Sequence, residues 1–131
     1  MIKIVFCLRR LPTLSSDEFF QYWLQRHGPL VLGHAKALRI CRYIQGHSFT
    51  DARIAPAVDA RGCRVPPYDG VAEVDWENVE ELLDGASSPE GRAAGRALLA
   101  DERRFIDLPN SSLFFVREHE IVPGWRARDA N

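Results

Sequence analysis

The chain is short of most features that mark a specialised class of protein. Its 131 residues hold three cysteines, Cys7, Cys41 and Cys63, and no C-x-x-C pair. An odd, widely spaced set supports neither a disulfide framework nor a zinc knuckle, so all three read as reduced thiols. Cys7 and Cys41 fall in strand-like runs, where a free thiol acts as a small hydrophobe, and Cys63 falls in a loop. No apolar run approaches the roughly 20 residues of a membrane span, and the N-terminus lacks a secretory h-region and cleavage site. A cytoplasmic location without a membrane partner is therefore expected. An excess of charge of one sign is also missing. Seventeen Lys and Arg against eighteen Asp and Glu leave a formal charge of −1, which gives no basic footprint for nucleic acid. Neither G-x-G-x-x-G nor G-x-x-x-x-G-K-[ST] occurs, so a nucleotide cofactor has no phosphate loop to dock on.

What remains is a composition of 46% hydrophobic and 27% charged residues at a length suited to one core. One domain is expected over 1–122, with a long loop at 48–69 and a polar tail at 123–131. The run Ile2 to Leu8, rich in β-branched residues, reads as a strand stopped before Pro12. Ser15-Ser16-Asp17-Glu18 is a capping box that opens a helix. Phe19, Phe20, Trp23, Leu24, Val31, Ala35 and Leu38 follow its period and form one broad stripe. Gly28-Pro29 predicts a kink or restart there, with Pro29 as the first helical residue and His27 at the break.

Arg39 to His47 predicts a second strand with Tyr43, Gln45 and His47 on one side, and Gly70 to Trp76 a third. A short helix follows through Val79, Leu82 and Leu83, with Gly85 just past its end. Ser88 and Pro89 open a longer helix to about Arg104, and Leu113 through Val122 reads as a fourth strand. The order strand, helix, strand, strand, helix, strand predicts an α+β, ferredoxin-like βαββαβ sandwich with a four-stranded antiparallel sheet. The first and last strands read as apolar on both sides, so a second copy facing the sheet would give a homodimer and a closed α+β barrel.

Several segments carry a family resemblance. Ile4 to Arg10, Phe19-x-x-Tyr22-Trp23-x-x-x-His27-Gly28-Pro29-Leu30-Val31, Arg42-Tyr43-Ile44-Gln45-x-His47, Tyr68 to Glu73 and Glu118-His119 together resemble the EthD family of dimeric α+β barrel proteins. The likeness spans nearly the whole chain, and the Tyr-Trp-x-x-x-His-Gly-Pro-Leu-Val segment is its specific part. It implies a dimer that binds small, often aromatic, lactone or polyketide-like compounds between sheet and helices. Related barrels include ring cyclases, muconolactone isomerases, decarboxylases or dehydratases, cofactor-free monooxygenases, and a namesake that accompanies a cytochrome P450 ether-degrading system. Fold alone does not choose among them.

His27 is the leading candidate for chemistry. It lies on a stripe with Trp23, Leu30 and Val31, and an imidazole exchanges protons near neutral pH. A buried histidine that satisfies backbone groups freed at the helix break fits the same position. Tyr43 and His47 are the secondary candidates, as groups that polarise or orient a ligand carbonyl; tyrosines packed with their hydroxyls at the rim are the plainer alternative. Phe6, Tyr22, Trp23, Leu30, Val31 and Phe115 are the expected ligand-binding residues. Glu73 is expected to pair with Lys3 or Arg9 across the sheet. Glu118 and His119 fall late in the fourth strand, at the barrel interior or at its rim. A dedicated metal is not expected, because His27 and His34 share no carboxylate that would complete a site. Haem is disfavoured too, since no histidine lies in Pro89 to Arg104, where haem-degrading relatives carry theirs. The expected activity is thus cofactor-free lyase, isomerase or cyclase chemistry. The rivals are a non-catalytic accessory dimer of an oxygenase system and a cofactor-independent monooxygenase.

Overall fold

The computed structural model describes residues 1–124, so the tail expected at 123–131 lies for the most part outside the described residues. Four strands, β1 (Ile2–Leu8), β2 (Arg42–His47), β3 (Gly70–Trp76) and β4 (Ser112–Val116), form one sheet in the order β2-β3-β1-β4. Every pairing is antiparallel, which gives the ferredoxin-like α+β fold. The register sets Phe6 beside Ala72 and Leu113, and Tyr43 beside Val74. Side chains alternate across a pleated strand. Ile4, Phe6, Leu8, Tyr43, Gln45, His47, Ala72 and Val74 therefore share the face under the helices.

The first helical stretch is α1 (Ser16–Tyr22), a π turn (Trp23–His27) and α2 (Gly28–His34), joined without a break. The capping box forms as the sequence indicates: Glu18 N–H donates to Ser15 Oγ at 3.1 Å and Ser15 N–H to Glu18 Oε1 at 2.9 Å. The expected restart takes the form of α2 itself, which begins at Gly28 with Pro29 in its first turn and follows the π turn without a gap. A proline lacks the N–H that a carbonyl four residues back requires, and a wider turn just before it takes up the mismatch. Gly28 N–H accordingly reaches back five residues to the Trp23 carbonyl.

That turn decides which residues face inward. Phe19, Trp23, His27 and Val31 recur every four positions, and in an unbroken α-helix each such step overshoots a full turn by about 40°. One π turn takes the overshoot back, so all four are buried, at 0, 1, 5 and 4% exposure. Leu24, expected on the inner stripe, turns outward and is 59% exposed.

Helix α3 (Ala55–Asp59) lies within the loop expected at 48–69 and buries none of its residues. The end of that loop is tied down. Arg9 donates to the carbonyls of Pro66 and Pro67 at 3.0 and 3.1 Å and lies 4.1 Å from the Tyr68 ring centre. Helices α4 (Val79–Ser87) and α5 (Pro89–Glu102) are separated by Ser88 alone, with Asn78 and Ser88 as their N-caps. Gly85 is not a terminator but an inner residue of α4. A Cβ there would stand 2.8 Å from the Leu38 carbonyl oxygen, so backbone packs where a side chain would sit. Gly70 plays the same part under Trp23, whose ring would meet its Cβ at 2.4 Å.

The core comprises Leu8, Phe19, Trp23, Ala72, Phe105 and Ile106. The opposite face of the sheet is mixed rather than uniformly apolar. Val5, Cys7, Ile44, Val71 and Phe114 are partly exposed there, beside an ion cluster in which Lys3 pairs with Glu73 at 2.9 Å and with Glu118. Of the two partners expected for Glu73, Lys3 and Arg9, it is Lys3 that pairs with it. Strand β4 ends at Val116, which leaves Glu118, His119 and Ile121-Val122 outside the strand expected for them. Cys41 precedes β2 and is exposed, not buried as a small hydrophobe. No helix among the described residues is long and apolar enough to cross a membrane.

Candidate active site

A cavity of about 150 Å³ opens between the sheet and the helices. Phe6, Trp23, Val31, Val74 and Leu98 supply apolar wall, and His27, Tyr43 and Glu102 are its polar groups. A dry cavity of roughly this size holds an aromatic ring.

His27 enters the cavity wall from the π turn. Its Nδ1 lies 2.8 Å from Asp101 Oδ2 on the last turn of α5, and the other carboxylate oxygen accepts from the Tyr22 hydroxyl at 2.5 Å. Burial pulls the His27 pKa below its ordinary value, with Asp101 opposing only in part. Burial would raise that of Asp101, but Tyr22 and His27 more than offset it, so the carboxyl group sits below the usual range. The pair therefore rests as carboxylate and neutral imidazole. A carboxylate can only accept, so Nδ1 carries the hydrogen and Nε2 the lone pair. Nε2 has no hydrogen-bond partner among the described residues.

Tyr43 comes from β2 and is held by neighbours. Its oxygen accepts from Trp23 Nε1 at 3.1 Å and from Gln45 Nε2 at 3.0 Å, which leaves its own hydrogen to donate. Burial pushes its pKa up, so the hydroxyl stays protonated. Gln45 also donates to the Trp23 carbonyl at 2.8 Å and so clamps the π turn to the sheet. Glu102 reaches the cavity one residue beyond Asp101. Burial first, and the Asp101 charge second, push its pKa up to about 7.

The expected residues divide into two groups. His27, Tyr43, Phe6, Trp23 and Val31 come together around the cavity. His47 does not line it: its ring is stacked between Phe20 and Trp23, at 5.0 and 4.6 Å, and its Nε2 is 2.8 Å from Gln45 Oε1. Tyr22 lies behind Asp101 and faces a separate polar pocket with Glu18, Arg26 and Arg104. Leu30 is half-buried away from the cavity, and Phe115, 56% exposed, lines a groove against Leu82 and Leu83.

Asp101 and Glu102 escaped the sequence reading, although a signal was there. Carboxylates are disfavoured at the negative end of a helix, and α5 has two in its last turn and no basic residue. They also extend the stripe of Ala94, Ala97 and Leu98 by one helical step. Among the described residues, no three His, Cys, Asp or Glu side chains gather as metal ligands.

The fold recurs in solved structures of low sequence identity. An EthD family protein of Bacillus halodurans is 17% identical, with a TM-score of 0.59 over 91% of this chain and 99% of that one. An EthD-like protein of Ralstonia eutropha is 13% identical, with a TM-score of 0.57 over 95% and 96%. A dimeric ferredoxin-like protein of unknown function from Thermobifida fusca is 14% identical, with a TM-score of 0.54 over 89% and 90%. No curated protein matches the chain. The EthD domain profile matches residues 11–109, a stretch that holds the π turn, β2, β3 and the two carboxylates of α5. By that match the chain belongs to the EthD family.

Proposed function

We propose that the protein binds a hydrophobic small molecule in the cavity and moves a proton on it, with His27 as general base. The observation that carries this reading is the His27 to Asp101 contact of 2.8 Å in the wall of an apolar cavity. Asp101 fixes the tautomer, so the lone pair on Nε2 is available to a ligand, and it stabilises the imidazolium that forms. Tyr43 supplies a hydroxyl hydrogen to orient a ligand carbonyl. His47 supports it indirectly, through Gln45. Exclusion of water would strengthen each of these few polar contacts.

The reaction classes this suits are lyase, isomerase and cyclase, on aromatic, lactone or polyketide-like compounds, with no cofactor in the proton transfer. The assembly we propose is a homodimer of one domain spanning 1–122. The partly exposed Val5, Ile44, Val71 and Phe114 on the outer sheet face support it, as does the dimeric description of the Thermobifida protein.

A panel of aromatic lactones and polyketide-like ketones, incubated with pure protein and read by mass spectrometry, tests the function. The expected result is cofactor-independent conversion without oxygen that His27→Ala lowers by about 10² to 10⁴ while the ligand still binds. Full turnover by that variant refutes the role of His27. Binding with no turnover points to an accessory dimer, and oxygen consumption points to a monooxygenase.

A further inference from the structure

Glu102 has no assigned task in the proton transfer above, yet it is the one carboxyl group among the described residues that lines the cavity. Its carboxyl group makes neither a hydrogen bond nor an ion pair with any described residue, whereas that of the adjacent Asp101 accepts two hydrogen bonds. Half-buried in the cavity wall, the carboxyl group is partly withdrawn from water with no protein group to replace it, a cost an apolar residue would avoid. Such a group is economical where a ligand supplies the missing partner. We propose that the Glu102 carboxyl group donates a hydrogen bond to a carbonyl oxygen of the bound compound while His27 removes a proton from the adjacent carbon, making enolisable ketones and esters the substrate class.

This assignment rests on the reading of His27 as the base. The C–H bond breaks toward His27 Nε2, its electron pair forms the C=C bond, and the carbonyl oxygen takes the Glu102 proton. The enol, imidazolium and carboxylate that result carry the same total charge as the reactants. The reverse transfers, with the proton returned to the same or a conjugated carbon, restore both side chains. The groups around Glu102 favour the required form. Asp101 on its own helix opposes ionisation, Arg103 beside it only partly compensates, Tyr43 on β2 feels its charge, and His27 across the cavity is neutral. A pKa pushed up to about 7 leaves the acid populated at neutral pH.

The test uses 2-indanone, a small enolisable ketone, as probe. Exchange of its α-hydrogens in D₂O is followed by proton NMR, and the carbonyl stretch of the bound ketone by infrared difference spectroscopy. The wild-type protein is expected to accelerate exchange and to lower the carbonyl frequency relative to an apolar solvent. Glu102→Leu should reduce the frequency shift to what the Tyr43 hydroxyl alone produces and lose roughly 10²-fold in exchange. Glu102→Gln, which keeps a donor of the same shape, should retain the shift and lose the fall in rate above pH 7. Exchange by Glu102→Leu within twofold of wild type, or an unshifted band in the wild type, overturns the role of Glu102. If His27→Ala exchanges as fast as wild type, the base reading itself fails, and no acceleration by the wild type refutes both.

Discussion

At the residue scale the site depends on keeping one imidazole neutral and pointed. Asp101→Asn preserves the shape but can donate to Nδ1, which would turn the lone pair of His27 away from the cavity. Turnover of a substrate found in the ketone panel is expected to fall by about 10²-fold or more, with little loss of binding. Steady-state kinetics that show the loss in KM alone would contradict this. The pH profile has two limbs. His27 must be deprotonated, with a pKa below its ordinary 6.5, and Glu102 protonated, with a pKa of about 7. A bell with its maximum between those limits is expected, and a profile that climbs steadily past pH 8 is not.

Glu102 also makes stability depend on pH. Its carboxyl group holds a proton in the folded state up to about 7 but only to 4.5 in the free chain. Between those values the folded state binds more protons, so the stabilisation is complete below pH 4.5 and disappears as pH rises through 7. The change amounts to at most about 3.5 kcal/mol, because each pKa unit is worth about 1.4. Glu102→Gln removes the titration. Its Tm relative to wild type should therefore be higher at pH 8 than at pH 4.5, and equal differences at both would refute the assignment.

At the scale of elements, two helices approach closely only because certain side chains are absent. A Cβ on Gly91 would lie 1.7 Å from the Gly85 carbonyl oxygen, and one on Gly85 2.8 Å from that of Leu38. Both contacts are backbone, which cannot swing aside. Gly91→Ala should cost roughly 3 kcal/mol or more, and Gly85→Ala somewhat less. Gly95, in the same helix as Gly91, has nothing within 4 Å of its missing Cβ. Gly95→Ala should instead stabilise by roughly 0.5 to 1 kcal/mol. Urea denaturation of the three variants gives the ranking, and a stable Gly91→Ala would show that α4 and α5 sit further apart.

At the scale of the whole molecule, one sheet face is occupied by helices and the other is only partly covered. Val5 and Phe114 are paired in register on that outer face, and Phe114 is 45% exposed. A dimer that buries them should sediment as such at micromolar concentration. Phe114→Glu should shift it to monomer, since a carboxylate buried at the centre of an interface is costly without a partner. A wild-type monomer would contradict the proposed assembly. The ion cluster of Lys3, Glu73 and Glu118 at one corner makes the outer face more polar than alternation along β1 suggested.

Local sequence determined the strands, the capping box, the βαββαβ order and the inward aim of His27 and Trp23, because each follows from short-range periodicity or from hydrogen bonds a few residues apart. It also held a trace of the π turn in the spacing of Phe19, Trp23, His27 and Val31. What only the tertiary structure decided was the company His27 keeps. Asp101 is separated from it by 74 positions, and their contact exists because α5 packs across the π turn. The same packing brings Glu102 into the cavity wall and draws Tyr43 to it while Gln45 holds His47 aside. Pairwise chemistry between distant segments depends on the angle and depth at which elements dock, and no pattern within either segment encodes that docking.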